Sequence, residues 1–571
     1  MTKRARDSKP RRDPPLDAAR TEGLWYKNCV IYSLDVETFL DSNGDGVGDF
    51  EGLTRRLPYL KYLGIDAIWL SPFHPSPNRD DGYDVTDYYA VHPRHGSAGD
   101  FVEFMHEANK QGFRVLMDLV VNHTSDEHPW FREACSSKSS PRRDWYVWSK
   151  KRPSDWNQGM VFPGVQDRTW SLEKRSREYY FHRFHRFQPD LNMENPLVRR
   201  EIERIIGYWL ELGVSGFRVD AVPFLIEHVV PGVKKREQRF EYLRDVRQFV
   251  QWRKGDAILL GEANVLPEEM EPYFGEDCTH IHMLFNFFVN QHLFYALATH
   301  DIAPLIDSIK ATLSIPQNAQ WAHFLRNHDE LDLGRLSDEQ RARVFERFAP
   351  SPDMQLYGRG IRRRLAPMLG DRRHEELAYS MMFSLPGSPV IRFGDELRMG
   401  DDLTLDQRHA VRTPMQWADE AHGGFTTSDS PVHPVIDHGV WSYRHVNVAE
   451  QRRDPSSFLN WMASMIRLRK ECPEIGHGQC TILDTGSPFV LGLRYDWHGN
   501  TVITIHNFDE KPHSARLKLK DPDVRRLSNL MVASEIDARK PGRFDIPLES
   551  LGYCWFRIGG LDYAARDAAR E

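Results

Sequence analysis

Eight short β-rich runs, separated in several places by helical patterns, constrain this chain more than any other feature. They are VIYSLDV (30–36), AIWLSP (67–72), RVLMDLVV (114–121), SGFRVDAV (215–222), AILLGEAN (257–264), HMLFNF (282–287), WAHFLRNH (321–328) and SPVIRFGD (388–395). Most are continuously apolar, as strands covered on both faces must be. Clear helical patterns are LTRRLPYLKYLG, DFVEFMHEANKQG, VRREIERIIGYWLELG and ELAYSMMFSLPG, each ending in Gly, a signal of a helix C-terminus. Strand–helix alternation of this kind predicts an α/β fold, a (β/α)8 TIM barrel.

The spacing is uneven, and the unevenness sets the domain organisation. A stretch rich in Trp, Arg, Ser and Pro follows the third strand and is too long for a structureless loop, so it reads as an inserted subdomain, 124–190. The barrel then comprises 23–123 and 191–474. Beyond it, FVLGLRYDW, TVITIHNF, SARLKLK, FDIPLES and LGYCWFRIG are short strands between turn residues, which predicts an all-β C-terminal sandwich over 475–560. Residues 1–22 form a basic, Pro-bearing segment that reads as a disordered tail, and 561–571 form a second polar tail.

Composition excludes several classes. A net charge of -7 gives no reason to expect a nucleic-acid partner, and no apolar run reaches membrane-spanning length. The cysteines, Cys29, Cys135, Cys278, Cys472, Cys480 and Cys554, form no CxxC pair, which argues against zinc and redox sites. Few cysteines and no secretory pattern predict a cytoplasmic protein. A homo-oligomer is left open.

The fourth run, GFRVDAVPF (216–224), carries a cation and an anion two residues apart. On a strand Phe217 and Val219 share one face, and Arg218 and Asp220 the other. Buried charge is costly unless it is paired or used. Other strands end in comparable groups: Asp118, Asn122 and His123 after the third, Glu262 after the fifth, and Asn327, His328 and Asp329 after the seventh. Barrel enzymes take their catalytic groups from those ends. One strand-end Asp is commonly just a helix cap; that reading explains the whole set poorly. Facing carboxylates are what glycoside chemistry requires, and Arg218 beside Asp220 is expected to keep the aspartate ionised.

DLVVNH, GFRVDAVPF, LLGEAN and FLRNHD, in that order, resemble the four conserved regions of the α-amylase superfamily, glycoside hydrolase family 13, and QPDLN (188–192) resembles a fifth. The resemblance covers nearly the whole chain after the first tail. It implies Asp220 as nucleophile, Glu262 as general acid/base and Asp329 as transition-state stabiliser, with Asp118, His123, Arg218 and His328 lining the subsite of the reacting glucose. The implied reaction is retaining transfer through a covalent glucosyl-enzyme. Within the family, WLSPFHPSPNRDDGYDVTDYY, VNHTSDEHPWF, HRFQPDLNMENP, FLRNHDELDLGRL, GIRRRLAPML, VRTPMQW and NVAEQRRDPSSFLNWM are similar to the trehalose synthase group, maltose α-glucosyltransferases. That similarity implies isomerisation of maltose (α-1,4) to trehalose (α,α-1,1), with hydrolysis as a side reaction. An exo-acting α-glucosidase or another α-transglucosylase is the alternative, and a catalytically inactive binding protein a remote one.

Further expectations follow from the resemblance. Asp84 and Arg412 resemble the pair that closes the far side of the glucose subsite, giving a pocket for small disaccharides, with Tyr83 as a stacking platform. DSNGDGVGD (41–49) offers oxygens from Asp41, Asn43, Asp45, Asp49 and the Val47 carbonyl, like the start of an EF-hand loop though without its Glu, and predicts a structural calcium (Ca2+). Asn122, Asp190 and Glu227 are expected to form a second such site by resemblance. No organic cofactor is expected. EHVVPGVKKREQRFEYLRD (227–245), LLGEANV and FPGVQDRTW depart from the trehalose synthase pattern. These segments bear on the acceptor side of the site.

Overall fold

The computed structural model describes residues 23–521 and 523–558; the two tails anticipated from sequence, and the last two residues of the expected sandwich, lie outside the described residues. The eight runs form eight parallel strands: β1 (Ile31–Leu34), β2 (Ala67–Leu70), β3 (Arg114–Leu119), β4 (Gly216–Val219), β5 (Ile258–Gly261), β6 (Met283–Phe285), β7 (Gln320–Phe324) and β8 (Ser388–Arg392). They pair in chain order, and β8 closes on β1 with Ile31 opposite Val390. Each strand is buried on both faces because it has two cores. Trp69, Leu116, Leu260, Met283 and Phe324 fill the barrel, while Ile68, Val115, Phe217 and Leu259 pack outward against the helices.

The helices form where the sequence supplies an apolar stripe and a cap. Pro196–Glu211 starts on Asn195, whose side chain accepts from Leu197 N–H, and buries Ile202, Ile205, Ile206 and Trp209. Ala98–Lys110 opens with a Ser97–Asp100 capping box. Phe50–Leu63 ends on Gly64 at φ 94°, a left-handed cap where a side chain is disfavoured.

All the large insertions leave from the C-terminal ends of the strands. After β3 come the helix Pro129–Ser136 and a three-stranded antiparallel sheet, Trp148–Ser149, Glu178–Phe181 and Trp170–Glu173. After β4 comes a short hairpin, Glu227–His228 with Glu237–Gln238. After β7 comes a second small sheet of Leu331–Asp332, Gly360–Ile361 and Gln355–Leu356. These three additions surround one end of the barrel.

The C-terminal region is a six-stranded antiparallel sheet faced by the pair His513–Lys518 and Arg543–Leu548. Val490, Ile503, Ile505, Phe544 and Phe556 fill the space between the two layers. Leu491, Leu493 and Tyr495 face the other way into the main core, so this sheet is also covered twice. Among the described residues no helix is long and apolar enough to cross a membrane.

Candidate active site

The charges of GFRVDAVPF are paired across neighbouring strands. Arg218 stands in register with Asp118 of β3 on one side and Leu260 of β5 on the other. Gly216 lets these strands approach, since a Cβ there would lie 2.3 Å from the Ile258 carbonyl oxygen. The Arg218 guanidinium then holds three carboxylates: Nη1 donates to Asp220 Oδ1 at 2.5 Å and Asp118 Oδ1 at 3.1 Å, and Nη2 to Glu262 Oε2 at 2.7 Å. One cation facing three anions in a water-poor barrel is stable because each charge is hydrogen-bonded as well as paired.

The turn after Asp220 is strained. Ala221 sits at φ 50° and its N–H donates to Glu262 Oε2 at 3.2 Å. This orients Glu262 against Arg218 and leaves its Oε1, like Asp220 Oδ2, without a partner among the described residues. Asp329, after β7, accepts from Arg412 Nη2 at 2.9 Å and pairs with Arg408 at 2.9 Å. Tyr83 donates to Asp118 Oδ2 at 2.9 Å and stacks on His328 with ring centroids 5.7 Å apart. His123 bonds the Tyr83 carbonyl at 3.0 Å.

Electrostatics separates the three acids. Burial pushes Asp220 up to about 6, against the pull of Arg218. Desolvation is the larger influence on Asp220, and Arg218 opposes it by favouring the ionised form. Asp118 is likewise pushed up to about 6 by burial. Burial raises Glu262, Arg218 opposes, and the charges of Asp220 and Asp329 raise it further. For Asp329, burial is outweighed by Arg408, His328 and Arg218, which hold it below the ordinary carboxylate value. Burial keeps His123 neutral, lowered to about 4. An ionised Asp329 and a proton-retaining Glu262 are the split that acid–base catalysis needs.

Asp220, Glu262, Asp329, Tyr83, His123 and Arg408 line a cavity of about 890 Å³; Asp118, Arg218, His328 and Arg412 are not among its lining residues. Asp84 is not among its walls. It is fully buried, accepting from Ser76 Oγ at 2.7 Å and from Arg79 Nε at 3.4 Å, and so ties down the loop after β2. The expected Asp84–Arg412 pair does not form; Arg412 instead bridges Asp81 and Asp329, and Asp80 lines the cavity beside it. All three acids lie in DDGYD, and only the turn at Gly82 decides which of them points inward.

Further residues shape the opening. Arg408 links Asp329 to Glu330 through a 2.7 Å bond and lies 5.2 Å from the Phe162 ring. Phe162 packs on Tyr357 at 5.1 Å, and Arg359 donates to the Val161 carbonyl at 3.2 Å. The inserted subdomain thereby contacts the sheet after β7 across the cavity. Glu330, Arg408 and Arg359 were not among the residues expected from sequence, whereas Phe162 opens the FPGVQDRTW segment noted there.

The two predicted metal sets fold differently. In the 41–49 loop, backbone N–H groups of Asn43, Asp45 and Val47 donate to the side chains of Asp41, Asn43 and Asp45 at 3.0, 2.9 and 2.9 Å. This chain of turns aligns every second side chain, the winding that a calcium loop uses. Asp41 also accepts from Gly44, Gly46 and Thr426, while Asp49 caps the helix Phe50–Leu63. An all-oxygen set suits calcium, which would have to displace one donor from Asp41. The second set is corrected. Glu227 pairs with Arg183 and Arg236, and Asp190 accepts from Arg183 N–H at 2.8 Å and Asn122 Nδ2 at 3.2 Å. Two guanidinium groups supply the positive charge there. Among the described residues no three His, Cys, Asp or Glu side chains gather as a metal site.

Comparison with known proteins agrees with this geometry. The alpha-amylase family, described as alpha amylase, catalytic domain, matches residues 33–349 and 362–478. The chain is 40% identical to a trehalose synthase of Thermus thermophilus over 94% of its own length, spanning 56% of that protein. It is 37% identical to a trehalose synthase of Pimelobacter sp. (strain R48), covering 95% of this chain and 98% of that one. Among solved structures, the trehalulose synthase MutB from Pseudomonas mesoacidophila MX-45 aligns with a TM-score of 0.73 at 27% identity, over 94% of this chain and 99% of that one. With the closed barrel, the carboxylates at its strand ends and a family match over most of its length, the chain belongs to the alpha-amylase family.

Proposed function

We propose that this protein isomerises maltose to trehalose by retaining α-glucosyl transfer within one enclosed pocket. The observation that carries the reading is that Asp220, Glu262 and Asp329 all line one cavity of about 890 Å³, with Arg412 tying Asp329 to Asp81. The similarity to trehalose synthases along nearly the whole chain supports isomerisation over hydrolysis.

Glu262 gives its proton to the glycosidic oxygen as the bond to C1 breaks, and Asp220 Oδ2 forms the new bond to C1, yielding a glucosyl ester. Asp329, held ionised, stabilises positive charge developing on the ring. The released glucose turns over inside the pocket. Its anomeric hydroxyl then loses its proton to Glu262 and attacks C1, expelling the Asp220 carboxylate and forming the α,α-1,1 link. Water in place of that hydroxyl gives two glucoses, so exclusion of water decides the outcome.

Purified protein incubated with maltose should accumulate trehalose ahead of glucose, and form maltose when given trehalose. Chromatography over time reads both. Glucose alone would assign the chain to the α-glucosidase alternative.

The same reading includes a structural calcium in the 41–49 loop, held by Asp41, Asn43, Asp45, Asp49 and the Val47 carbonyl. Such an ion would offset the acidic charges and stiffen the entry to the helix Phe50–Leu63. Calcium at about one hundred times its Kd adds about 2.7 kcal/mol. Melting after chelation, with and without calcium restored, should show that difference, and Asp45→Ala should remove it. Identical melting curves would leave the loop standing on its own turns.

A further inference from the structure

The hairpin after β4 lies in the segment that departs most from the trehalose synthase pattern. It has little apolar hold on the rest of the molecule. Residues 230–235 at its tip are all exposed, including Val230 at 38% and Val233 at 43%. A segment without buried apolar contacts takes its position from polar ties.

Those ties converge on Arg236, which is buried although its neighbours are not, its side chain 7% exposed. Its Nη1 donates to Glu227 at 3.1 Å, at the base of the hairpin. Its Nη2 donates to Asp155 at 3.2 Å, in the inserted subdomain. Asp155 is itself 1% exposed and accepts from the hairpin's Gly232 N–H at 2.9 Å. The guanidinium also lies 4.5 Å from the Phe181 ring. Arg183, from the subdomain, pairs with the same Glu227. Arg236 and Glu227 both line the cavity that Asp220, Glu262 and Asp329 line.

We propose that Arg236 is a positioning residue: a latch that fastens the hairpin to the inserted subdomain over the acceptor end of the pocket, retaining the released glucose and keeping water out. The inference rests on the isomerisation reading above. The latch is an internal cation. It joins two carboxylates from separate parts of the fold, Glu227 and Asp155. Planar guanidinium suits this because it reaches both carboxylates through different nitrogens, whereas an ammonium is a single point charge. Opening the hairpin leaves Asp220, Glu262 and Asp329 in place, so the glucosyl ester still forms. What changes is the competition for it between retained glucose and water.

The measurement is the ratio of free glucose to trehalose formed from maltose by the full chain, in wild type, Arg236→Met, Arg236→Lys and Asp155→Asn. Loss of the latch should raise that ratio about tenfold in Arg236→Met. Asp155→Asn, which removes one anchor and preserves shape, should raise it less, and Arg236→Lys should fall between wild type and Met. An unchanged ratio in Arg236→Met, with both products slowed together, would make Arg236 a stabilising ion pair and overturn the latch alone. Wild type that yields only glucose would overturn the isomerisation reading and the latch with it. If Arg236→Met does not fold, Asp155→Asn decides: an unchanged ratio there overturns the proposal.

Discussion

Asp220→Ala is expected to reduce turnover of maltose by about 10⁵-fold or more, because it removes the atom that forms the intermediate. The surrounding site gives no substitute. Asp118 is in register with Arg218 but its oxygens are engaged by Arg218, Tyr83 and Trp69. Glu262 is held from behind by Arg218 and the Ala221 N–H. A 2-deoxy-2-fluoroglucosyl fluoride should label wild type on the peptide containing Asp220 and leave the variant unlabelled. Labelling elsewhere would move the nucleophile. Stability should change in the opposite direction. Asp220 is raised to about 6 in the fold from a model-peptide value of 3.8, so ionising it disfavours the folded state. Its contribution is favourable below the unfolded value and is lost as pH rises through about 6. Asp220→Asn should therefore melt higher than wild type above pH 6, by an amount of the order of 1 kcal/mol. The gap should close near pH 4. A variant that melts lower at pH 7 would show that the ion pair with Arg218 outweighs desolvation.

Glu262→Gln should lower turnover of maltose by about 10³-fold, the range of a lost general acid/base, since the sugar leaving group needs a proton. An aryl α-glucoside with an acidic leaving group needs none to depart, and its first step should be largely spared. The pH profile gives a second signature. In wild type, kcat/KM should fall below about pH 6 as Asp220 takes up a proton. Asp118 titrates on the same guanidinium, so this limb belongs to the group of carboxylates rather than to one of them. The alkaline limb belongs to Glu262, raised by burial and by the charges of Asp220 and Asp329. Glu262→Gln should abolish the alkaline limb and preserve the acidic one. Loss of both would mean that the two carboxylates cannot be separated into acid and nucleophile.

Much of this site was legible because strand ends are where a parallel barrel exposes side chains. GFRVDAVPF contains its own contradiction, two charges in a core strand, and the structure resolves it with carboxylates from the strands on either side. Asp118, Glu262 and Asp329 could be placed from their strands because each lies within a few residues of a run of unmistakable β character. Residues on loops could not be placed so. In DDGYD, three acids within five residues differ in direction by the course of one turn: Asp84 is buried scaffold, Asp80 lines the cavity and Asp81 pairs with Arg412. Glu227 gave no hint that arginines at 183 and 236 would reach it, because the pairing spans separate insertions. In the C-terminal layers, Gln479–Leu483, Arg526–Asn529 and Glu535–Asp537 were missed. They are short, three to five residues each, and rich in polar residues, so they lack the alternation that identified their neighbours.

By itself, the sequence determined the barrel, its order of strands, the inserted and C-terminal parts, and which carboxylates stand at the strand ends. Hydrophobic runs and strand ends are local properties, repeated eight times, and local patterns survive without knowledge of what they touch. Only the tertiary structure decided which acid pairs with Arg412, which carboxylates meet arginines from distant segments, and how the insertions meet across the cavity. Those outcomes depend on side chains far apart in the chain competing for the same partner in a confined, poorly solvated space. That competition is settled by geometry and desolvation, which no single segment encodes.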